Sequence, residues 1–191
     1  MFAKTFVVTA LAAFAAARFG QEQSVAQLIA AAQGGAPGVA PTLAGGSPGV
    51  LLAATNACDK LVLADRIVKE LNGDPTAIAA AQALVAAEKN FNPFVVSIPA
   101  ICSDASLPAS PELRGITPLV DPDVVGSDAA NALSKQTLAD PLCATGLSIA
   151  DLLERNGFTN FTRQAPAGSR RRSRLNKKRT QRIRRHSEEK L

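Results

Sequence analysis

Tryptophan and tyrosine are absent from the 191 residues, and histidine occurs once, at His186. One histidine close to the C-terminus excludes Ser-His-Asp and Cys-His nucleophilic machinery, HExxH zinc sites and multi-histidine metal centres from the body. Without Trp or Tyr the usual stacking surfaces for sugars and nucleobases are missing, and eight Phe are left for that role. Cysteine is scarce, at three. The composition points away from enzymes that need a cofactor or a histidine, and no cofactor or metal site is expected. It reports destination and architecture more clearly than activity.

What the chain does have is two unusual ends. Residues 1–17 combine Lys4 with an apolar run ending in small residues, the layout of a secretory signal peptide. Ala15 and Ala17 suit the minus 3 and minus 1 positions of a cut before Arg18. The run is about 13 residues, short of the roughly 20 that cross a bilayer, so no transmembrane segment is expected in the mature chain. The expected location is secreted or extracellular, including the cell surface or cell wall, where disulfides persist.

Residues 163–191 carry twelve Lys or Arg against Glu188 and Glu189, a charge of +10, whereas residues 18–162 carry eight basic and fourteen acidic side chains, a charge of −6. The formal +5 of the whole chain therefore describes neither part. The basic segment holds Arg170, Arg171, Arg172, Arg174, Lys177, Lys178, Arg179, Arg182, Arg184 and Arg185 with few apolar residues, and such a composition predicts a disordered tail. Its chemistry fits a nucleic-acid backbone, a nuclear-import receptor, or acidic polysaccharide or lipid. It also fits a solvated end without a dedicated partner, even one translated from an unspliced intron, and its basic pairs are sites for secretory processing proteases.

Between these ends, residues 18–49 are rich in Gly, Pro and Ala. Val25, Leu28 and Ile29 suggest a short helix, but residues 34–49 read as a flexible arm without core-forming side chains. A compact domain is expected over residues 50–162. Leu63, Ile67 and Leu71 form one stripe of an amphipathic helix, with Lys60, Asp65, Arg66, Lys69 and Glu70 facing outward. Asn72-Gly73 ends it, and Asp74-Pro75 starts another helix at once, which predicts an antiparallel αα-hairpin.

That hairpin brings Cys58 and Cys102 to one end of the pair. A disulfide between them would contribute roughly 4 kcal/mol through chain entropy; the alternative is two buried free thiols. Cys143 is left unpaired, and could capture Cys102, dimerise the chain, or be a local substitution. The FNPFVVSIPAIC segment reads as an extended apolar strap. Beyond it five prolines limit helix to short pieces, one opened by Ser127 or Asp128 and one by Ser148 with Asp151 completing a capping box. The fold class is mainly α: a small helical domain with an αα-hairpin, proline-rich loops and one disulfide.

Asp104, Glu112, Asp121, Asp123, Asp128 and Asp140 gather in the proline-rich half. Paired carboxylates serve glycosidases and calcium sites, but Asp121-Pro122-Asp123 lacks the spacing of a calcium loop, and turn carboxylates are the simpler reading. Asn160-Phe161-Thr162 is an N-glycosylation sequon; Asn56-Ala57-Cys58 fits only the rare cysteine variant.

The segments ACDKLVLADRIVKELNGDP, AEKNFNPF, LPASPELRGITPLVDPDVVGSDAANA and ATGLSIADLLERNGFTNFT resemble an uncharacterised family of small secreted, cell-surface proteins of filamentous fungi, over residues 57–162. The resemblance implies an extracellular, non-enzymatic protein with a helical body and brings no catalytic residues; the basic tail departs from the family pattern. The expected function is a secreted surface or interaction protein whose partners are cell-wall or host-surface components. A secreted effector acting through its basic tail is the alternative, and a carboxylate-based hydrolase comes third.

Overall fold

A computed structural model describes residues 21–167; the signal-like residues 1–17 and nearly all of the basic tail lie outside the described residues. Six α-helices and one parallel pair of short strands make up the described chain, in agreement with a mainly α class.

The first correction to the sequence reading is in the Gly/Pro-rich arm. Helix α1 (Gln21–Ala31) sets Val25 and Ile29 one turn apart on a buried face. Residues 34–49 do not form a spacer: Val39–Leu51 is a second helix, α2, which buries Ala40, Leu43, Ala44, Ser47 and Leu51 along one stripe. Two prolines are accommodated for different reasons. Pro41 lies in the first turn, where backbone N–H groups have no helical acceptor. Pro48 deprives the Ala44 carbonyl of its donor, and the Ser47 hydroxyl supplies the replacement at 2.8 Å. At the α1–α2 turn, Gly34 has φ +100° and an added Cβ would collide with the Leu71 carbonyl, so only glycine fits.

The expected αα-hairpin is present as α3 (Asp59–Glu70) and α4 (Pro75–Ala86). Asn72 takes φ +56° at the reversal. Asp74 caps α4 by accepting from the Thr76 N–H, with Pro75 at the first helical position. Helix α4 is buried almost all round through Ala77, Ala80, Ala81, Ala83, Leu84, Val85 and Ala86. It can be, because α1 packs on it and on α2, and α2 packs on α3. The four helices form one closed group in which small residues allow near approach.

The second half wraps this group with less regular structure. Strand β1 (Ala100–Cys102) pairs in parallel with β2 (Thr162–Gln164), in the register Ala100 to Thr162 and Cys102 to Gln164. The sequence placed its best strand pattern at residues 95–98; three-residue strands carry too little alternation to register. The ordered body therefore continues past Thr162, and Arg163 belongs to a strand. A single 3₁₀ turn, Pro111–Leu113, leads to α5 (Ser127–Ala139). Gly126 caps α5, in place of Ser127 or Asp128, because Ser127 turns its hydroxyl to the Pro122 carbonyl. Helix α6 (Ile149–Arg155) has the expected Ser148–Asp151 capping box and buries Ile149, Leu152 and Leu153.

Polar side chains dock α5. Asn131 bonds both backbone groups of Val120 at 2.7 and 2.8 Å, and Ser134 and Thr137 meet the backbone of Thr117. Arg114 holds the loops around α6 by donating to the carbonyls of Ala105, Pro108, Ala144 and Leu147. Asp65, expected to face solvent, accepts from the N–H groups of Ala109 and Ser110 at 2.8 Å each, tying α3 to the entry of the 3₁₀ turn.

Candidate functional site

Cys58 and Cys102 form the expected disulfide, with Cα atoms 4.8 Å apart and both residues buried. The bond joins the start of α3 to β1. β2 and the residue after it lie over it: the Gln164 carbonyl is 3.3 Å from the Cys58 sulfur, the Gln164 side chain accepts from the Ala57 N–H, and Asn56 donates to the Ala165 carbonyl. Asn56 also accepts from the Cys58 N–H, so its amide is used at both ends and serves the clamp.

Beside the disulfide lies a narrow cleft lined by Lys60, Lys89, Pro99, Ile101, Leu119 and Ile149. The sequence reading put Lys60 on the outer face of α3, whereas it is 4 % exposed. Its place on the buried stripe was readable, since Lys60, Ala64, Ile67 and Leu71 follow helical spacing. The Lys60 ammonium donates to the carbonyls of Val85 (2.9 Å) and Ala87 (2.6 Å) at the C-terminal end of α4, where carbonyls lack helical donors. Burial pushes its pKa down to about 7, helped by the positive charge of Lys89 and opposed by Glu88. Lys89 is itself lowered, chiefly by burial, and donates to the Ala53 carbonyl at 3.2 Å.

An amine titrating near neutrality could act as a base or a nucleophile. This one is committed to two carbonyls, and the cleft encloses only about 10 Å³, room for one water. Lys60 caps a helix; it does not face a substrate-sized space.

The carboxylates singled out in the proline-rich half perform turn work. Asp104 accepts from Ser106, and Asp121 from the Asp123 N–H. No group of three or more His, Cys, Asp or Glu among the described residues could hold a metal. Asp151, within the capping box, has its pKa lowered to about 2 by the Ser148 hydroxyl and by Arg163. Arg163 pairs with both Asp151 and Glu154. Cys143 is exposed and unpaired, its thiol pKa lowered by hydrogen bonds within the turn to Thr145. Asn160 is half-buried at the surface, donating to the Val125 carbonyl at 3.2 Å, while Phe161 of the sequon stacks on Phe158 in the core at 5.7 Å.

The strap between α4 and β1 departs from the extended form expected of it. Asn90 bonds the Leu51 carbonyl at its root, and Thr162 bonds the Pro99 carbonyl where it enters β1. Between them Asn92 organises a tight turn. Its side chain accepts from the Phe94 N–H, and its carbonyl from those of Val95 and Val96, at 3.0 Å each. The apolar side chains of this turn point outward: Phe94 is 96 % exposed, Val95 76 % and Val96 44 %. The sequence contained the apolar run, but only the turn reveals that it faces solvent.

Among the described residues no helix is long and apolar enough to cross a membrane. No protein-family model, no curated protein and no solved structure matches the chain.

Proposed function

We propose that this chain is an exported, non-enzymatic interaction protein whose working surface is the apolar turn at Phe94, Val95 and Val96. The exposure of that turn carries the reading. A chain that could fold these side chains inward against a largely alanine-lined core displays three in succession instead, and contiguous apolar display on a surface marks a contact site. The body beneath is clamped by a disulfide at the turn's far root, which suits a fixed presenting scaffold. Export is supported by that bond together with the signal-like residues 1–17 and the Asn160 sequon. The likeness of residues 57–162 to fungal cell-surface proteins points to the same class, with cell-wall or host-surface components as partners.

Intact-mass analysis of the product from an expressing culture tests the location. The expected species lacks residues 1–17, carries one disulfide and bears glycan at Asn160. Recovery solely from the cytosol with the N-terminus retained overturns export. A tail-deleted form that localises like the full chain removes any effector role for residues 163–191.

A further inference from the structure

We propose that the Phe94 turn is a membrane-insertion tip, and that it acts with the basic residues beyond Ala167 to hold the protein on anionic phospholipid bilayers. This deepens the interaction reading above and rests on it, although not on export.

The choice of a bilayer over a protein strand comes from the turn's backbone. A partner that adds a strand needs free N–H groups on an exposed edge. Here the N–H groups of Phe94, Val95 and Val96 are all taken by Asn92. In an acyl environment that same closure is required, because unsatisfied backbone groups have no water to bond. The tip thus offers apolar side chains on a backbone that has already satisfied its donors.

The second argument is charge. The tip has no cation between Asn90 and Ser103, so insertion alone would be weak, and stable attachment takes a second signal. The chain beyond Ala167 supplies eleven Lys or Arg against two Glu, and juxtamembrane basic residues are drawn to anionic headgroups. Those 24 residues span at most about 80 Å, whereas a body of this size has a radius of gyration of about 15 Å. The basic segment therefore has the length to lie on the same plane as the tip.

The test exploits the lack of tryptophan. In Phe94→Trp, the introduced side chain is the sole indole in the chain and reports the tip alone. Full-length protein is mixed with vesicles of phosphatidylcholine, with or without phosphatidylserine. Expected are a blue shift in emission and quenching by brominated acyl chains, only when phosphatidylserine is present. Phe94→Ser with Val95→Ser should lower the partition coefficient roughly tenfold to a hundredfold at every salt concentration, with melting unchanged, because Phe94 and Val95 are mostly exposed. Replacing Arg170, Arg171, Arg172, Lys177, Lys178 and Arg179 by Gln should weaken binding at low salt and flatten its salt dependence.

Vesicle binding with no change in the emission of the introduced indole, or with the double serine variant binding as tightly as the parent, overturns the insertion tip. So does binding to duplex DNA with none to vesicles, which would give the basic residues to nucleic acid. Self-association lost on Phe94→Ser with Val95→Ser, without vesicle binding, overturns the bilayer as partner and leaves the turn as a protein contact surface.

Discussion

Lys60 shows how a single residue sets a pH dependence for the whole fold. Its ammonium is held among apolar neighbours and two carbonyls, with pKa about 7 in the folded chain and near the ordinary lysine value of 10.5 once exposed. Between those values the unfolded chain binds the extra proton, so stability should rise as pH increases from about 7 to about 10. Below 7 both states are protonated and the dependence vanishes. Lys89 faces Lys60 and shifts in the same direction, while Glu88 and Asp59 oppose the two shifts. Urea midpoints measured from about pH 6 to about pH 10 should climb in the parent and stay nearly flat in Lys60→Met. A climb of equal size in the variant would show that other groups carry it. Arg114 is a second residue of this kind, invisible to pattern reading because four carbonyls from separate loops meet it only after folding. Arg114→Lys keeps the charge but cannot fork to all four. It should cost about 2–3 kcal/mol in denaturant unfolding, and a variant within error of the parent would reassign the loops' anchoring.

Elements with strong local signals were legible and those built on exceptions were not. The α3–α4 hairpin and the α6 capping box rest on caps and apolar spacing read within a few residues. Helix α2 was missed because its composition, three glycines and two prolines in thirteen residues, normally describes a spacer. Two compensations make it helical. Leu43, Ala44, Ser47 and Leu51 share a buried stripe, and the Ser47 hydroxyl serves the carbonyl that Pro48 abandons. β1 and β2 were missed for another reason: each is three residues long, and their pairing spans 62 positions. The compensation in α2 predicts its own failure. Ser47→Ala leaves the buried Ala44 carbonyl without this donor and should cost about 1–2 kcal/mol, while Ser47→Ala with Pro48→Ala restores a backbone donor and should recover most of it. If the double variant is no more stable than the single one, the Ser47–Pro48 account of α2 is wrong.

The whole molecule divides into a four-helix group and an irregular wrapping half, and the Cys58–Cys102 bond with the β1–β2 pair joins them. The sequence boundary after Thr162 cuts through that joint. It was drawn where charge changes sign, yet Arg163 belongs electrostatically to the body, pairing with Asp151 and Glu154 of α6, and Gln164 lies over the disulfide. A chain ending at Ala167 keeps these contacts and should melt like the full chain. A chain ending at Thr162 loses most of β2, exposes the sulfur atoms to solvent and leaves the Ala57 N–H without its Gln164 acceptor. It should melt several degrees lower and lose its disulfide to dithiothreitol markedly faster. The bond closes 44 positions of chain, worth roughly 4 kcal/mol, so in reductant the shorter chain should unfold at a lower urea concentration than the longer one by far more than the loss of three strand residues explains. Equal reduction rates for the two lengths would show that the four-helix group shields the bond by itself, and the functional body would then end at Thr162 after all.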